Sequence, residues 1–199
     1  MAHDGDAVAP ASGTAVPGLG ALGPSVERFD QWADEQLERL RGNPVADAVF
    51  TTASALGDFS AVWHLANLAR GLTSERRRQQ VLLLAALNGA ESLLVNQGLK
   101  RLFKRTRPTV AGDERYEVRR PSTSSFPSGH ASAAGFTATV LTGWDGQRAA
   151  PLWWSIAGVV ATSRAYVRIH HASDVVAGVA VGFGLGFVTR RALRRFGLD

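Results

Sequence analysis

The sequence predicts an all-α fold, a helical bundle that crosses a membrane about five times, has its functional site at one end and carries a further N-terminal amphipathic helix. Three observations predict it. Five apolar segments have lengths near the roughly 17–25 residues that span a bilayer. Small residues are frequent in them, and arginine clusters stand at their ends. The alternative is a soluble helical bundle, because 20% of the residues are charged and the mean hydropathy is −0.02.

Residues 1–24 are rich in Gly, Ala, Pro and Ser. They lack a positively charged start and a continuous apolar run, so they predict a disordered tail and not a signal peptide. The folded domain is expected over residues 25–199. It begins with an amphipathic helix, with Ser25 as the expected N-cap and Gly42-Asn43-Pro44 as its end. This helix is too charged to cross a bilayer, so it packs on the domain or lies in the membrane interface.

The candidate spans follow at roughly 45–70, 79–100, 130–145, 150–168 and 172–190. The first two contain polar residues, namely Asp58, His64, Asn88, Glu91 and Asn96. A charged group at a helix centre costs about 2.5–3.5 kcal/mol on insertion scales, so these residues are expected to face the bundle interior. The last span carries the glycines Gly178, Gly182, Gly184 and Gly186, which predict close helix packing.

The chain has a net charge of +5 and a pI near 10.6. Its basic residues gather at the ends of apolar segments, as at Arg76–Arg78 and Arg190–Arg195, and form no stripe interleaved with aromatics, so nucleic acid is not an expected partner. The positive-inside rule places these two clusters in the cytoplasm. The protein is then expected in the plasma (inner) membrane with its site on the extracytoplasmic side. The basic stretch from Lys100 to Arg120 opposes this orientation.

Two short groups of residues supply what is needed to hold a phosphate. Lys100, Arg107 and Arg164 are cations that can share one dianion, since arginine grips two oxygens at once and lysine acts as a point charge. Ser128 and Gly129 add a hydroxyl and an unobstructed backbone N–H, which are small neutral donors for phosphate oxygens.

His130 and His170 supply the reactive groups. Imidazole titrates near neutral pH, so one of them can attack phosphorus while the other protonates the leaving oxygen. Asp174 lies four residues after His170, one turn away on a helix. Its carboxylate can accept the Nδ1 proton of His170 and leave Nε2 free to attack. His171 points about 100° away on a helix, so it is expected at the rim of the site.

The patterns K-x-x-x-x-x-x-R-P, P-S-G-H and S-R-x-x-x-x-x-H-x-x-x-D run in order from Lys100 to Asp174. They resemble the three signature motifs of the type 2 phosphatidic acid phosphatase and vanadium-dependent haloperoxidase superfamily. The resemblance implies that His170 is a nucleophile forming a phosphohistidine, that Asp174 orients it and that His130 is the leaving-group acid. It further implies a phosphate cage of Lys100, Arg107, Ser128, Gly129 and Arg164.

The family's phosphatases need no metal or other cofactor. The sequence agrees, because it has no cysteine and no His and carboxylate cluster at metal-ligand spacing. Lys104 and Thr106 stand where the family often has glycine and proline, and Ala172 replaces a common proline.

Together these features predict a membrane-embedded, metal-independent phosphatase whose partners are the bilayer and a lipid-linked phosphate or diphosphate. Phosphatidate, phosphatidylglycerol phosphate and polyprenyl (di)phosphate are the candidate classes, and the sequence leaves the choice and the oligomeric state open. One alternative is a vanadate-dependent haloperoxidase, since vanadate mimics phosphate. Another is a non-catalytic membrane protein that binds lipid phosphate.

Several residues near the motifs have expected structural roles. Lys104 and Arg105 are expected to be solvated or headgroup-facing charges, and Ser128 is also a candidate N-cap. Glu91 and Asn96 are expected to make interhelical hydrogen bonds. The long loop over 109–126 is expected to cover the site and to help select the headgroup.

Overall fold

The computed structural model describes residues 16–108, 115–116 and 122–198, and within these ranges the chain forms helices and turns without a strand. The helices are α1 Pro24–Glu38, α2 Pro44–Gly57, α3 Ala61–Gly71, α4 Glu75–Leu93, α5 Gly129–Asp145, α6 Ala150–Tyr166 and α7 Ala172–Arg195. Residues 1–15 of the predicted tail lie outside the described residues, and residues 16–23 form turns.

The amphipathic helix α1 packs against α6 and α7. Its N-cap is Gly23, with a φ of 93°, so the expected cap at Ser25 is wrong. The positive φ suits a glycine, and Pro24 at the first helical position has its φ already fixed at a helical value. At the end of the helix the chain turns through Gly42, and the Asn43 side chain then caps α2.

The prediction of one continuous helix over 45–70 is wrong. The chain breaks between α2 and α3 in a short 3₁₀ turn, Asp58–Ser60. Phe59 and Ser60 both adopt left-handed backbone conformations there, with φ of 52° and 58°. Residues with a Cβ rarely adopt this region, so the sequence does not predict this backbone conformation, although Gly57, Asp58 and Ser60 are common turn residues.

One helix in the described part of the chain, α7, is long and apolar enough to cross a membrane by length and composition, with 24 residues and a mean hydropathy of 1.6 over its most apolar window. The other helices are shorter or more polar. The helices α5 and α6 have 17 residues each, and α2 and α3 have 14 and 11. The expected count of about five spans therefore stays a prediction.

Helix α5 lies at the centre of the bundle, and every residue from Ala131 to Thr142 is buried. Its closest partner is α7, whose Gly178 and Gly182 face backbone carbonyls of α5 that an added Cβ would strike. Gly186 makes a similarly close approach, whereas Gly184 faces open space. The predicted glycine packing is thus correct at three of the four positions.

The polar residues of the predicted spans are found inside the bundle. Asn88 and Glu91 are 3% and 4% exposed, and both contact α5. Thr137 Oγ1 donates to Asn88 Oδ1 over 2.8 Å, and Ser132 donates to Glu91. Asp58, His64 and Asn96 are partly buried. The expected interhelical hydrogen bond is confirmed for Glu91. Asn96 instead donates to Ser92 Oγ, four residues earlier in the chain, over 3.0 Å.

Candidate active site

The predicted site residues come together at one end of the bundle. Four segments meet there: the chain after α4, the start of α5, the C-terminal end of α6, and the loop into α7 with the first turn of that helix. All eight predicted residues lie on these segments, namely Lys100, Arg107, Ser128, Gly129, His130, Arg164, His170 and Asp174. A cavity of about 540 Å³ is lined by both histidines, Lys100 and Gly129, and extends along α4.

His170 lies in the loop before α7 and is 2% exposed. Its Nδ1 is 3.5 Å from Asp174 Oδ2, and Arg107 Nη1 is 3.0 Å from its Nε2. Burial, together with the neighbouring Arg107 cation, lowers the pKa of His170 to about 3, although Asp174 acts to raise it. The imidazole is therefore neutral at pH 7, with Nδ1 directed at the carboxylate.

The spacing predicts that His170 and Asp174 share one helix, and this prediction is wrong. Asp174 is in the first turn of α7, whereas His170 precedes the helix. The pairing survives because the Asp174 carboxylate turns back over the N-terminus of α7 and accepts a hydrogen bond from the His171 backbone N–H at 2.9 Å.

Asp174 is fully buried and is held by further donors that the sequence did not reveal. Ser125 Oγ donates to its Oδ2, and Arg105 Nη1 donates to its Oδ1 at 2.6 Å. Ser125 is also buried and lies 3.4 Å from His170 Nδ1. These donors fix the carboxylate as an anion against the imidazole.

Arg105 is not the solvated charge that was expected. It is 4% exposed and joins two buried carboxylates, Asp174 and Asp30 of α1, each over 2.6 Å. Asp30 also accepts hydrogen bonds from the backbone and hydroxyl of Ser173. A signal was present in the sequence, because Asp30 occupies the apolar face of α1, four residues after Val26. Lys104, by contrast, is exposed as expected.

His171 is buried, at 5% exposed, and does not lie at the rim. Its Nε2 is 3.3 Å from the Thr106 carbonyl oxygen. The expected rim position is wrong because His171 is the N-cap of α7 and its ring is turned into the protein. Burial lowers the pKa of His171, and the nearby Arg105 cation adds to this.

The three predicted cations converge although they come from different segments. Arg164 is 1% exposed and its Nη1 donates to the carbonyl and hydroxyl of Ser54 over 3.0 and 2.5 Å. Arg107 donates to the Ile169 carbonyl over 2.8 Å. The Lys100 side chain is 6% exposed and makes no hydrogen bond to another described residue. Three clustered cations repel one another, so the site favours an anion of high charge.

The start of α5 adds donors to this cluster. Ser128 is the N-cap, as expected, with Oγ 3.4 Å from the Ala131 N–H. The free N–H groups of Gly129 and His130 in the first turn make a helix N-terminus that suits an anion. His130 Nε2 is 2.8 Å from Asp58 Oδ1, so the turn between α2 and α3 also reaches the site.

Two further expectations concern the surroundings of the site. Much of the predicted cover over 109–126 lies outside the described residues. Within it, Arg115 donates a hydrogen bond to Glu38 and Tyr116 donates one to Asp47, each over 2.8 Å. Within the described ranges no group of three or more His, Cys, Asp or Glu side chains is placed to hold a metal ion.

Sequence comparison finds relatives over most of the chain. A family model described as the PAP2 superfamily matches residues 80–197. Two curated relatives are named decaprenylphosphoryl-5-phosphoribose phosphatase. The one from Mycobacterium tuberculosis is 30% identical over 135 residues, covering 68% of this chain and 73% of the relative. The one from Mycolicibacterium smegmatis is 33% identical over 145 residues, covering 70% and 74%.

Solved structures share the fold. The transmembrane PAP2-type phosphatidylglycerolphosphate phosphatase from Bacillus subtilis superposes with a TM-score of 0.67 and 23% identity, covering 89% of this chain and 91% of its own. LpxE from Aquifex aeolicus gives a TM-score of 0.63 and 22% identity, covering 82% and 93%. At these identities the likeness establishes the all-helical fold.

Proposed function

The chain belongs to the PAP2 superfamily and is a phosphatase, and we propose that it hydrolyses a lipid-linked phosphate through a phosphohistidine at His170. The observation that carries the proposal is the environment of one imidazole. Its Nδ1 faces the buried Asp174 carboxylate, and its Nε2 faces the cluster of Lys100, Arg107 and Arg164. A neutral nucleophile beside three cations is suited to a phosphate dianion.

In the first half-reaction, His170 Nε2 attacks phosphorus. A P–N bond forms as the P–O bond to the lipid side breaks, and His130 transfers a proton to the departing oxygen. The electron pair of the broken bond goes to that oxygen, so the products are a neutral alcohol and a phosphohistidine. Asp174 stabilises the positive charge that develops on His170.

In the second half-reaction, water replaces the alcohol. His130, now neutral, accepts a proton from the water as its oxygen attacks phosphorus and the P–N bond breaks. Inorganic phosphate leaves, and both histidines regain their starting protonation states. The cations and the α5 N-terminus stabilise the charge on the equatorial oxygens in both steps.

A lipid phosphate monoester is the substrate class we favour. The two curated relatives are named for a decaprenylphosphoryl-5-phosphoribose substrate, which supports a polyprenyl-linked phosphate. The Bacillus structure is named for phosphatidylglycerolphosphate, a second lipid that carries a terminal phosphate. Both share a phosphate monoester on a lipid-anchored polar group, and the cavity beside His130 and His170 has room for such a group.

Membrane residence follows from the same proposal. Helix α7 meets the length and composition of a span, and the 17 residues of α5 and α6 give about 26 Å at 1.5 Å per residue, close to the roughly 30 Å hydrocarbon core. Arg76–Arg78 and Arg190–Arg195 lie at the helix ends away from His170. This supports a plasma-membrane protein whose site faces the extracytoplasmic side.

The test is phosphate release from detergent-solubilised protein in EDTA, with a polyprenyl phosphate, phosphatidate and phosphatidylglycerol phosphate as substrates. We expect turnover by the wild type and loss of more than about 10⁴-fold in His170→Ala, which removes the nucleophile. Wild type quenched in alkali, in which the P–N bond of phosphohistidine is stable, should carry labelled phosphate on histidine. Peroxidase activity with added vanadate but no phosphate release would favour a haloperoxidase, and binding without turnover would favour the non-catalytic alternative.

A further inference from the structure

The turn that separates α2 from α3 is shaped around His130. Phe59 and Ser60 adopt left-handed backbone conformations, which residues with a Cβ rarely adopt. The preceding Gly57 lies against the imidazole, because a Cβ at this position would be 2.7 Å from His130 Cδ2. The result is that Asp58 Oδ1 lies 2.8 Å from His130 Nε2.

We propose that Asp58 is a positioning residue for His130, holding its Nε2–H so that Nδ1 is the atom that gives up and takes back the proton. The inference rests on the proposed function, in which His130 protonates the leaving oxygen. Asp58 lies outside the three motifs and was expected only to face the bundle interior.

The charges around His130 indicate a second, electrostatic role for Asp58. Imidazolium forms in a site that already contains Lys100, from the segment after α4, and Arg164 of α6, both of which oppose another positive charge. His170, from the loop before α7, also lines the cavity and is neutral at pH 7. Asp58 is the carboxylate in contact with the ring and so stabilises the protonated, proton-donating form.

The two histidines are held through opposite nitrogens. Asp174 lies against Nδ1 of His170, which leaves Nε2 for attack on phosphorus. Asp58 lies against Nε2 of His130, which leaves Nδ1 for the leaving oxygen. Each imidazole is thus restricted to one tautomer when neutral, and each presents a different nitrogen to the substrate.

The first test compares Asp58→Asn with a matched control, Asp145→Asn. Asp145 is a buried carboxylate paired with Arg70 over 2.8 Å at the other end of α5, so its replacement removes a carboxylate more buried than Asp58 and away from the site. We expect Asp58→Asn to lower kcat on a lipid phosphate by about 10- to 10³-fold with KM changed less than about threefold. Its kcat on p-nitrophenyl phosphate, whose leaving group needs little protonation, should fall much less.

Two further measurements distinguish a positioning role of Asp58 from a purely structural one. The basic limb of the kcat profile should move to lower pH in Asp58→Asn, because the imidazolium loses its counter-charge. In a His130→Ala background, Asp58→Asn should cause a loss well below its loss in the wild type, and what remains reflects the 4.0 Å ion pair of Asp58 with Arg164. An equal loss on both substrates, an unmoved pH limb or an additive double variant would each overturn the inference.

A measurement on the wild type reads the tautomer of His130 while Asp58 is still in place. Histidine-selective ¹⁵N NMR, with His130 assigned through His130→Gln, should give neutral His130 protonated at Nε2. An Nδ1–H tautomer would overturn the inference. If the wild type releases phosphate from no lipid phosphate, the proposed function fails as well; if it is active and Asp58→Asn behaves like Asp145→Asn, only the role of Asp58 fails.

Discussion

Replacing Arg105 with glutamine should cost stability far beyond what the loss of a surface charge costs. The Arg105 side chain is 2% exposed, and its partners Asp30 and Asp174 are 1% and 0% exposed. Solvent therefore screens neither ion pair. Removing one partner from a buried pair typically costs about 3–5 kcal/mol, because the remaining charge stays buried without compensation. Here two carboxylates would be left with fewer donors.

The expected loss can be read from a thermal melt followed by tryptophan fluorescence in detergent. At about 2–4 °C per kcal/mol for a chain of this size, Arg105→Gln should lower the midpoint by roughly 6–20 °C. Lys104→Gln is the matched control. It removes a neighbouring cation whose side chain is exposed, and it should change stability by less than about 0.5 kcal/mol.

A double-mutant cycle then assigns the loss to the contacts. Asp30→Asn alone should cost less than Arg105→Gln, and the two changes together should cost less than their sum, since each removes the same bond. Arg105→Gln should also lower kcat, because the Asp174 carboxylate loses its 2.6 Å donor. A midpoint shift no larger than that of Lys104→Gln, or strict additivity with Asp30→Asn, would refute this reasoning.

Three further predictions concern the site and its orientation. His130→Ala should slow release of a lipid alcohol at least about tenfold more than release of p-nitrophenol, and equal losses would exclude it as the leaving-group acid. Because the pKa of His170 falls from 6.5 to about 3 on folding, only the unfolded chain gains that proton as pH falls below 6.5. Wild type should therefore lose about 2 kcal/mol of stability between pH 7 and 5 from this group, and His170→Gln should show a shallower slope in pH-dependent melts; an unchanged slope would contradict it. In sealed right-side-out vesicles, Thr123→Cys should react with an impermeant maleimide and Ser74→Cys only after permeabilisation, whereas the reverse pattern would place the site in the cytoplasm.

The sequence predicted what depends on local spacing. Ser128 as an N-cap and the pair of His170 with Asp174 each involve residues within four positions of one another, and Gly178, Gly182 and Gly186 recur every four residues along one face of α7. Such relations are fixed by the geometry of one turn of chain, so a pattern in the sequence carries them.

The sequence did not predict what depends on distant partners or on rare backbone conformations. The charge of Arg105 led to the prediction that its side chain is solvated, whereas the side chain is buried and pairs with Asp30, 75 residues earlier in the chain. The helix break at Asp58 was missed although Gly57, Asp58 and Ser60 interrupt the apolar pattern there, because neither Phe59 nor Ser60 favours the left-handed conformation that it adopts. Ser125 is one of several serines in a polar stretch of sequence, and only the fold shows that it donates a hydrogen bond to Asp174.

Asp30 and Asp58 show how the rest of the chain serves the motifs. Both precede residues 80–197, the part that the family model matches, and both give a carboxylate to a residue within that part. Asp30 binds Arg105, which in turn holds Asp174, and Asp58 binds His130. The matched region thus carries the groups that we propose to contact phosphate, while the N-terminal helices supply counter-charges that fix those groups. A chain cut before α3 would keep every motif residue and still lose the carboxylates on which their arrangement depends.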